Sequence, residues 1–420
     1  MIVIYNFSIR ILALIFWAGR FFNNKIALGY NGRQGWRKQL QDFKTKNNKK
    51  IIWFHCASLG EFEMARPVIE EINKQLTGEI YIVLTFFSPS GYEVRKSYKG
   101  VNGVFYLPLD TPANADDFIK ILNPVLAVFV KYEFWLNYLK SLKKFNIKTI
   151  LINAIFDETQ IYFKWYGKPY LRALKGFDHI FVQNKKSLRK LSEHNINNAT
   201  VSGDLRYDRV IANSKSGMDF PELEKFSKNS FVIIGGSTWQ PEEEIMKYCI
   251  LKNSGKIKLI IAPHDVSESH INSIIKLFEG FEIAKFSENN ISENTRIIII
   301  DSIGKLSSVY KYGNAALVGG GFSGALHNII EPAVYGIPVF FGYNNSKFPE
   351  AAYFKKNKIG FSIHNGFNFN EHIKDLLKNR ELINDIKHRS ASVFKANTGS
   401  TMQVYYKIKL HVLDNNMILK

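Results

Sequence analysis

Three junctions in this chain join a short apolar run to a helical pattern through residues able to move a proton or hold an anion. At the first, Ile51 to His55 leads into Cys56, Ala57, Ser58, Leu59, Gly60 and Glu61. Ser58 and Glu61 have the S-x-x-E spacing of a capping box, in which two side chains satisfy free amides at a helix start. A carboxylate at the carboxyl end of a buried strand is also where a general base has to sit, and spacing does not separate the two readings of Glu61. Glu133 follows the run Val125 to Val130 in the same way. It reads either as a second acid near an acceptor hydroxyl or as a charge favoured by a helix dipole. Cys56 beside His55 reads as a small buried residue rather than a nucleophile.

The second junction places Gly235, Gly236, Ser237, Thr238 and Trp239 after Phe231 to Ile234, and Pro263 and His264 end the next run similarly. Ser237 and Thr238 are either helix caps or contacts to a phosphate or sugar. The third is the longest: Leu317 and Val318 enter Gly319, Gly320, Gly321, Phe322, Ser323 and Gly324, followed by His327, Asn328, Glu331, Pro332, Gly336 and Pro338. A strand running into a glycine-rich turn that opens a helix brings backbone amides close to a phosphate. Such turns also serve ordinary close packing. No H-E-x-x-H, D-x-D or clustered His and Asp pattern marks a metal site.

The elements that must carry these junctions alternate in kind. Ile51–His55, Ile80–Thr85, Val104–Leu107, Val125–Val130, Thr149–Asn153 and His179–Val182 read as buried strands, with helical patterns over Phe62–Leu76, Ala113–Leu122 and Phe134–Phe145. Residues 206–228, polar with Asn213, Ser214, Ser216, Gly217 and Pro221, read as an irregular linker. The pattern restarts at Phe231 and continues through Leu259–Ala262, Ile297–Ile300, Ala315–Val318 and Val339–Phe341. This rhythm predicts an α/β chain of two Rossmann-like domains, residues 23–205 and 206–397, binding ligands at strand carboxyl ends facing a cleft. Residues 398–420 are expected to form a C-terminal helix docking back across the domains.

Residues 2–22 are mostly apolar, with Arg10 near the middle. Each large apolar residue favours insertion by about 0.3–0.6 kcal/mol and a central arginine opposes it by about 2.5–3.5. Spanning is therefore near break-even, and an interfacial helix competes with it. Arg20, Lys25, Arg33, Arg37 and Lys38 follow, with Lys44, Lys46, Lys49 and Lys50 close behind. This cluster suits an anionic membrane surface and keeps the following domain on the cytoplasmic side. Over 420 residues the net charge is +19, while 46% of residues are hydrophobic and 22% charged, which excludes disorder and a polytopic membrane protein. No nucleic acid is expected, since no RNP, zinc-finger or basic-zipper signature accompanies the charge. Two distant cysteines build neither a disulfide framework nor a four-thiolate zinc site.

Taken in order, these junctions resemble the 3-deoxy-D-manno-octulosonic acid (Kdo) transferases of lipopolysaccharide assembly, which have the GT-B glycosyltransferase fold. The likeness runs over nearly the whole chain: the N-terminal anchor, Gly32 to Trp36, Ser58 to Glu61, Thr85 with Ser90 and Gly91, Pro108 to Asp110, Glu133 to Trp135, Gly203 with Asp204, Gly236 to Thr238, and Gly319 through Pro338. The resemblance implies inverting, metal-independent transfer of Kdo from CMP-Kdo to the lipid A precursor lipid IVA, with no cofactor, on the cytoplasmic face of the inner membrane. It makes Glu61 the base and puts Ser58, Gly60 and Glu133 on the acceptor side. Ser237, Thr238, His264, Gly319, Gly320, Gly321, Ser323, Asn328 and Glu331 then surround CMP, with phosphate at the turn and ribose at Glu331. The chain departs from the family where no arginine separates Pro263 from His264, where Leu136 follows Trp135 in place of proline, and where Ala325 and Leu326 precede His327. The alternatives are a GT-B enzyme using a UDP-sugar and a lipid acceptor, and a non-catalytic lipid- or nucleic-acid-binding protein.

Overall fold

A computed structural model describes residues 2–132, 134–253 and 255–414. The chain forms two compact units: Met1–Arg209 with Asn397–Lys420, and Val210–Ala396.

In the first unit, β1 (Lys50–Cys56), β2 (Ile80–Phe86), β3 (Gly103–Tyr106), β4 (Leu126–Val130), β5 (Lys148–Ala154), β6 (His179–Val182) and β7 (Ala199–Val201) make one sheet, ordered β3-β2-β1-β4-β5-β6-β7. Every pairing is parallel. Successive side chains of a strand point to opposite faces, and here both faces are covered. Trp53 and Phe129 pack with Phe118 and Tyr138 on one side. Phe54 and Val128 pack with Phe62 and Ile69 on the other. That requirement explains why these strands read as unbroken apolar runs.

The C-terminal helix Ser400–Asp414 belongs to this unit. It lays Val404, Tyr405, Ile408 and Val412 into the Phe62 layer. The Ser400 hydroxyl donates to the Ser202 carbonyl at 2.6 Å, and Asp208 accepts the Gly399 and Thr401 N–H groups.

In the second unit, β8 (Phe231–Thr238), β9 (Ile257–Pro263), β10 (Ile283–Lys285), β11 (Ile297–Ile299), β12 (Ala315–Val318), β13 (Val339–Gly342) and β14 (Gly360–Ile363) are ordered β10-β11-β9-β8-β12-β13-β14, again all parallel. The strands β8, β9 and β12 that carry the candidate site residues are neighbours, so their carboxyl ends lie side by side.

Residues 206–228 are not the irregular linker expected from their polarity. They hold helices Leu205–Lys215 and Pro221–Ser227, which bury Leu205, Val210, Leu223 and Phe226. Those four apolar positions outweigh the polar residues between them, because burial rather than local propensity stabilises a short helix.

Residues Ile2–Gly19 form a helix docked on one side along its length. The Tyr5 hydroxyl donates to Asp110 Oδ2 at 2.6 Å, Asn137 Nδ2 donates to Asn6 Oδ1 at 2.9 Å, and the Phe16 ring lies 6.0 Å from Phe87. Val3, Ile4, Phe7 and Leu14 stay exposed on the helix, each by more than 60%. Arg33 leaves the basic cluster: it is buried and donates to the carbonyls of Leu107, Gly29 and Phe87. Burial pushes its guanidinium down to about 10.

Candidate active site

The helix Leu59–Gln75 begins immediately beyond the carboxyl end of β1. Ser58 is its N-cap residue, but its hydroxyl makes no capping bond, and Gly60 is exposed. Glu61 instead reaches back, its Oε2 accepting the Ala57 N–H at 2.5 Å. The carboxylate is half-buried at the strand end rather than turned along the helix. Glu133, the second expected acid, lies outside the described residues.

Sequence reasoning did not find what holds this strand end. Thr85 Oγ1 on β2 accepts from Trp53 Nε1 at 2.8 Å and pairs with His55 Nδ1 at 2.9 Å. His55 Nε2 accepts from Trp135 Nε1 at 3.0 Å. An indole nitrogen only donates, so Nε2 of His55 is the acceptor and its proton sits on Nδ1, directed at Thr85. Buried Thr85 and His55 thus tie β1 to β2 and to the segment after β4. The Ala57 carbonyl accepts the Ser88 N–H at 2.8 Å, extending that tie to the loop carrying Glu61's partner amide.

In the second unit the expected donor residues do gather, but several act through shape. Ser237 has the left-handed conformation, φ 52°. Its hydroxyl has no hydrogen-bond partner among the described residues. A Cβ on Gly319 would lie 1.9 Å from the Ser237 carbonyl oxygen, and one on Gly320 (φ 81°) 2.2 Å from that of Ala325. Only glycine allows this approach of β8 and β12. The N–H groups of Gly319 and Gly320 bond inside the protein, to the Gly236 carbonyl and to Glu242 Oε1 at 3.0 Å. The bonds closing the turn use these amides with those of Ala325 and His327, and the amides of Gly321, Phe322 and Ser323 are not among them. The Ser323 hydroxyl donates to the Gly320 carbonyl.

The glycine turn does not open a helix, as its sequence suggested. An irregular stretch intervenes, and the four-residue helix Ile330–Ala333 starts where Asn328 Oδ1 accepts the Ile330 N–H. The carbonyl of Gly320 is already taken by the Ala325 N–H, so the chain closes a turn there instead of continuing a helical ladder. Any anion held here therefore meets turn amides rather than a helix dipole. Asn328 Nδ2 donates to Glu331 Oε1 at 3.0 Å, which fixes that carboxylate.

His264 stands after β9, exposed, its ring 4.8 Å from Trp239 and stacked at 4.5 Å on His327. Burial, and then His264, push the His327 imidazole below its ordinary range, and its buried Nε2 has no hydrogen-bond partner among the described residues. Thr238 is fully buried and donates to Glu243, which also takes His270 Nε2 at 3.0 Å. Glu242, 1% exposed, is the residue sequence reasoning passed over: it accepts the N–H groups of both Trp239 and Gly320. Burial raises both carboxyls above the usual range. Among the described residues no group of three or more His, Cys, Asp or Glu side chains is gathered as metal ligands.

Two seven-stranded parallel sheets with polar and glycine-rich junctions at their carboxyl ends make a GT-B fold. Solved structures of low identity agree on that fold. A UDP-GlcNAc 2-epimerase from Neisseria meningitidis bound to UDP-GlcNAc superposes with a TM-score of 0.60 at 15% identity, covering 86% of this chain and all of that one. A glycosyltransferase from Rickettsia africae gives 0.53 at 12%, covering 87% and 98%. Residues 34–209 match the family model described as 3-deoxy-D-manno-octulosonic-acid transferase (kdotransferase). A 3-deoxy-D-manno-octulosonic acid transferase of Aquifex aeolicus is 29% identical over 328 residues, 76% of this chain and 84% of the relative. Another from Rickettsia bellii is 26% identical over 354 residues, 81% and 83%. The chain is thus similar to 3-deoxy-D-manno-octulosonic acid transferases over three quarters or more of its length, and their family model matches within its first unit.

Proposed function

We propose that this protein transfers Kdo from CMP-Kdo to the lipid A precursor lipid IVA, with inversion and without a metal, at the cytoplasmic face of the inner membrane. The observation that carries the reading is the Glu61 carboxylate, held at the carboxyl end of β1 by the Ala57 amide inside the segment matched by the family model. Glu61 takes the proton of the acceptor hydroxyl as that oxygen bonds to the anomeric carbon of Kdo. The bond from that carbon to the phosphate oxygen breaks, and CMP leaves with the electron pair. Its phosphate charge is met by the turn amides of Gly321 to Ser323, in a turn kept open by Glu242. Glu331, fixed by Asn328, takes the ribose hydroxyls. The Trp239, His264 and His327 rings offer a stacking surface for the base. Ser58 and Gly60 line the acceptor side.

Attachment to the bilayer is carried by the exposed face of the helix Ile2–Gly19, aided by the basic residues after it. Because the helix is docked through Tyr5, Asn6 and Phe16, the interfacial arrangement accommodates all its contacts, with Val3, Phe7 and Leu14 facing lipid.

The reading is tested by supplying the protein with CMP-Kdo made in situ and a tetraacylated lipid A precursor, against a UDP-sugar with the same acceptor. Acceptor mass should rise by one or more Kdo residues with the first donor only. Transfer from the UDP-sugar, and none from CMP-Kdo, would replace this reading.

A further inference from the structure

Apart from the candidate site residues, the first unit has a cavity of about 830 Å³ between the helices Leu136–Lys144 and Lys168–Lys175. Leu136, Leu139, Ile147, Pro169 and Ala173 give it an apolar floor. Its rim carries Lys140, Lys143, Lys168 and Arg172, none of which forms an ion pair among the described residues. At one end Lys148 is already paired with Asp178 at 2.8 Å. The groove runs alongside a helix about 13 Å long at 1.5 Å per residue. Its floor is thus apolar, and its charged residues outside the Lys148–Asp178 pair are all positive.

Its place relative to the N-terminal helix says what covers it. Ile2 lines the groove, and the Tyr5 ring packs edge-on against Tyr170 at 6.3 Å. Whatever covers the exposed apolar face beginning at Val3 therefore also meets the groove mouth. Trp165, 83% exposed, and Tyr166 stand just before Lys168, and such rings with a polar edge settle at headgroup depth. Four cations with no ion pair among the described residues, above an apolar slot, complement an amphiphile with an anionic head, whereas a zwitterionic head brings a cation of its own that offsets its phosphate.

We infer that the groove between these two helices holds one acyl chain of an anionic membrane phospholipid, with its phosphate among Lys140, Lys143, Lys168 and Arg172. The inference rests on the membrane-surface part of the proposed function and adds to it a defined lipid site. A bound lipid of this kind would anchor the first unit at a fixed depth, beside the N-terminal helix.

Full-length protein in mild detergent is mixed with phosphatidylglycerol or phosphatidylcholine and weighed by native mass spectrometry. One phosphatidylglycerol should be retained, and phosphatidylcholine at least ten-fold less. Ala173→Trp fills the slot without changing charge, and the Lys140→Glu, Arg172→Glu pair reverses the rim at exposed positions. Each should cut phosphatidylglycerol retention at least ten-fold with Tm unchanged. Equal retention by wild type and the folded charge variant would overturn the site. So would displacement of phosphatidylglycerol by excess tetraacylated acceptor, which would make the groove an acceptor subsite. Flotation with phosphatidylglycerol vesicles separates the two levels. Wild-type protein that fails to float overturns the membrane reading as well, while floating protein whose variants retain lipid equally overturns the groove alone.

Discussion

The Trp135 indole N–H donates to His55 Nε2 at 3.0 Å, and that single bond sets the protonation pattern beneath the candidate base. It leaves the His55 proton on Nδ1, facing Thr85, so the β1 end is fixed by a chain of satisfied buried groups. Trp135→Phe keeps an aromatic ring against Phe87, 4.7 Å away, but removes the donor. An unpaired buried nitrogen should cost about 1–3 kcal/mol, read by chemical denaturation. Turnover should fall further than donor affinity, because the change reaches Glu61 through the strand end. A variant as stable as wild type would mean the bond does not organise this site.

Glu242 holds the glycine turn at the Gly320 amide. Glu242→Ala removes the acceptor of both the Trp239 and Gly320 amides, so CMP affinity measured by calorimetry should weaken at least ten-fold. Glu242→Gln keeps one of the two acceptor oxygens and sets an NH2 against the other amide, so it should restore only part of it. Equal affinity in the alanine variant would show that the turn holds its shape unaided.

What the sequence made legible follows from burial. Strands such as Ile80–Phe86 and Ala315–Val318, covered on both faces, are apolar runs that cannot be missed. The short strands Ala199–Val201 and Gly360–Ile363, at sheet edges and only partly buried, carry no such run and were not expected. The place of Glu61 at a strand end was readable because strand, loop and carboxylate are adjacent in sequence. Glu242 was not, because its partner amide lies 78 residues away and an acidic helix start is ordinarily a dipole effect. The contributions of Gly319 and Gly320 were expected through their amides and are seen through their missing side chains.

Acidification should loosen the packing of the C-terminal helix. Burial pushes the His179 imidazole from 6.5 down to about 4, aided by Lys407 and His411 on that helix. The folded state therefore disfavours its protonation, so its contribution is present above pH 6.5 and lost as pH falls from 6.5 toward 4. Buried Asp110, raised to about 6, works oppositely: its proton is held in the fold, and stability falls as pH rises from 3.8 to 6. The informative readout is the Tm difference between wild type and His179→Gln, which should shrink from pH 7 to pH 5. A constant difference would contradict the shift.

The N-terminal helix should separate attachment from stability. Phe7→Asp with Leu14→Asp changes exposed positions only, and should release protein from vesicles with little change in Tm. Tyr5→Phe should do the reverse, keeping attachment while costing about 1–3 kcal/mol, since Asp110 loses a donor. Loss of folding in the double aspartate variant would identify that face as core instead.

The most direct test of the central claim is Glu61→Gln, compared with wild type for Kdo transfer from CMP-Kdo to a tetraacylated lipid A precursor by mass spectrometry, with CMP affinity measured in parallel. The amide can still accept the Ala57 N–H but cannot take a proton, so turnover should fall about 10²–10⁴-fold while CMP affinity stays within about two-fold. Turnover near the wild-type rate would contradict Glu61 as the base.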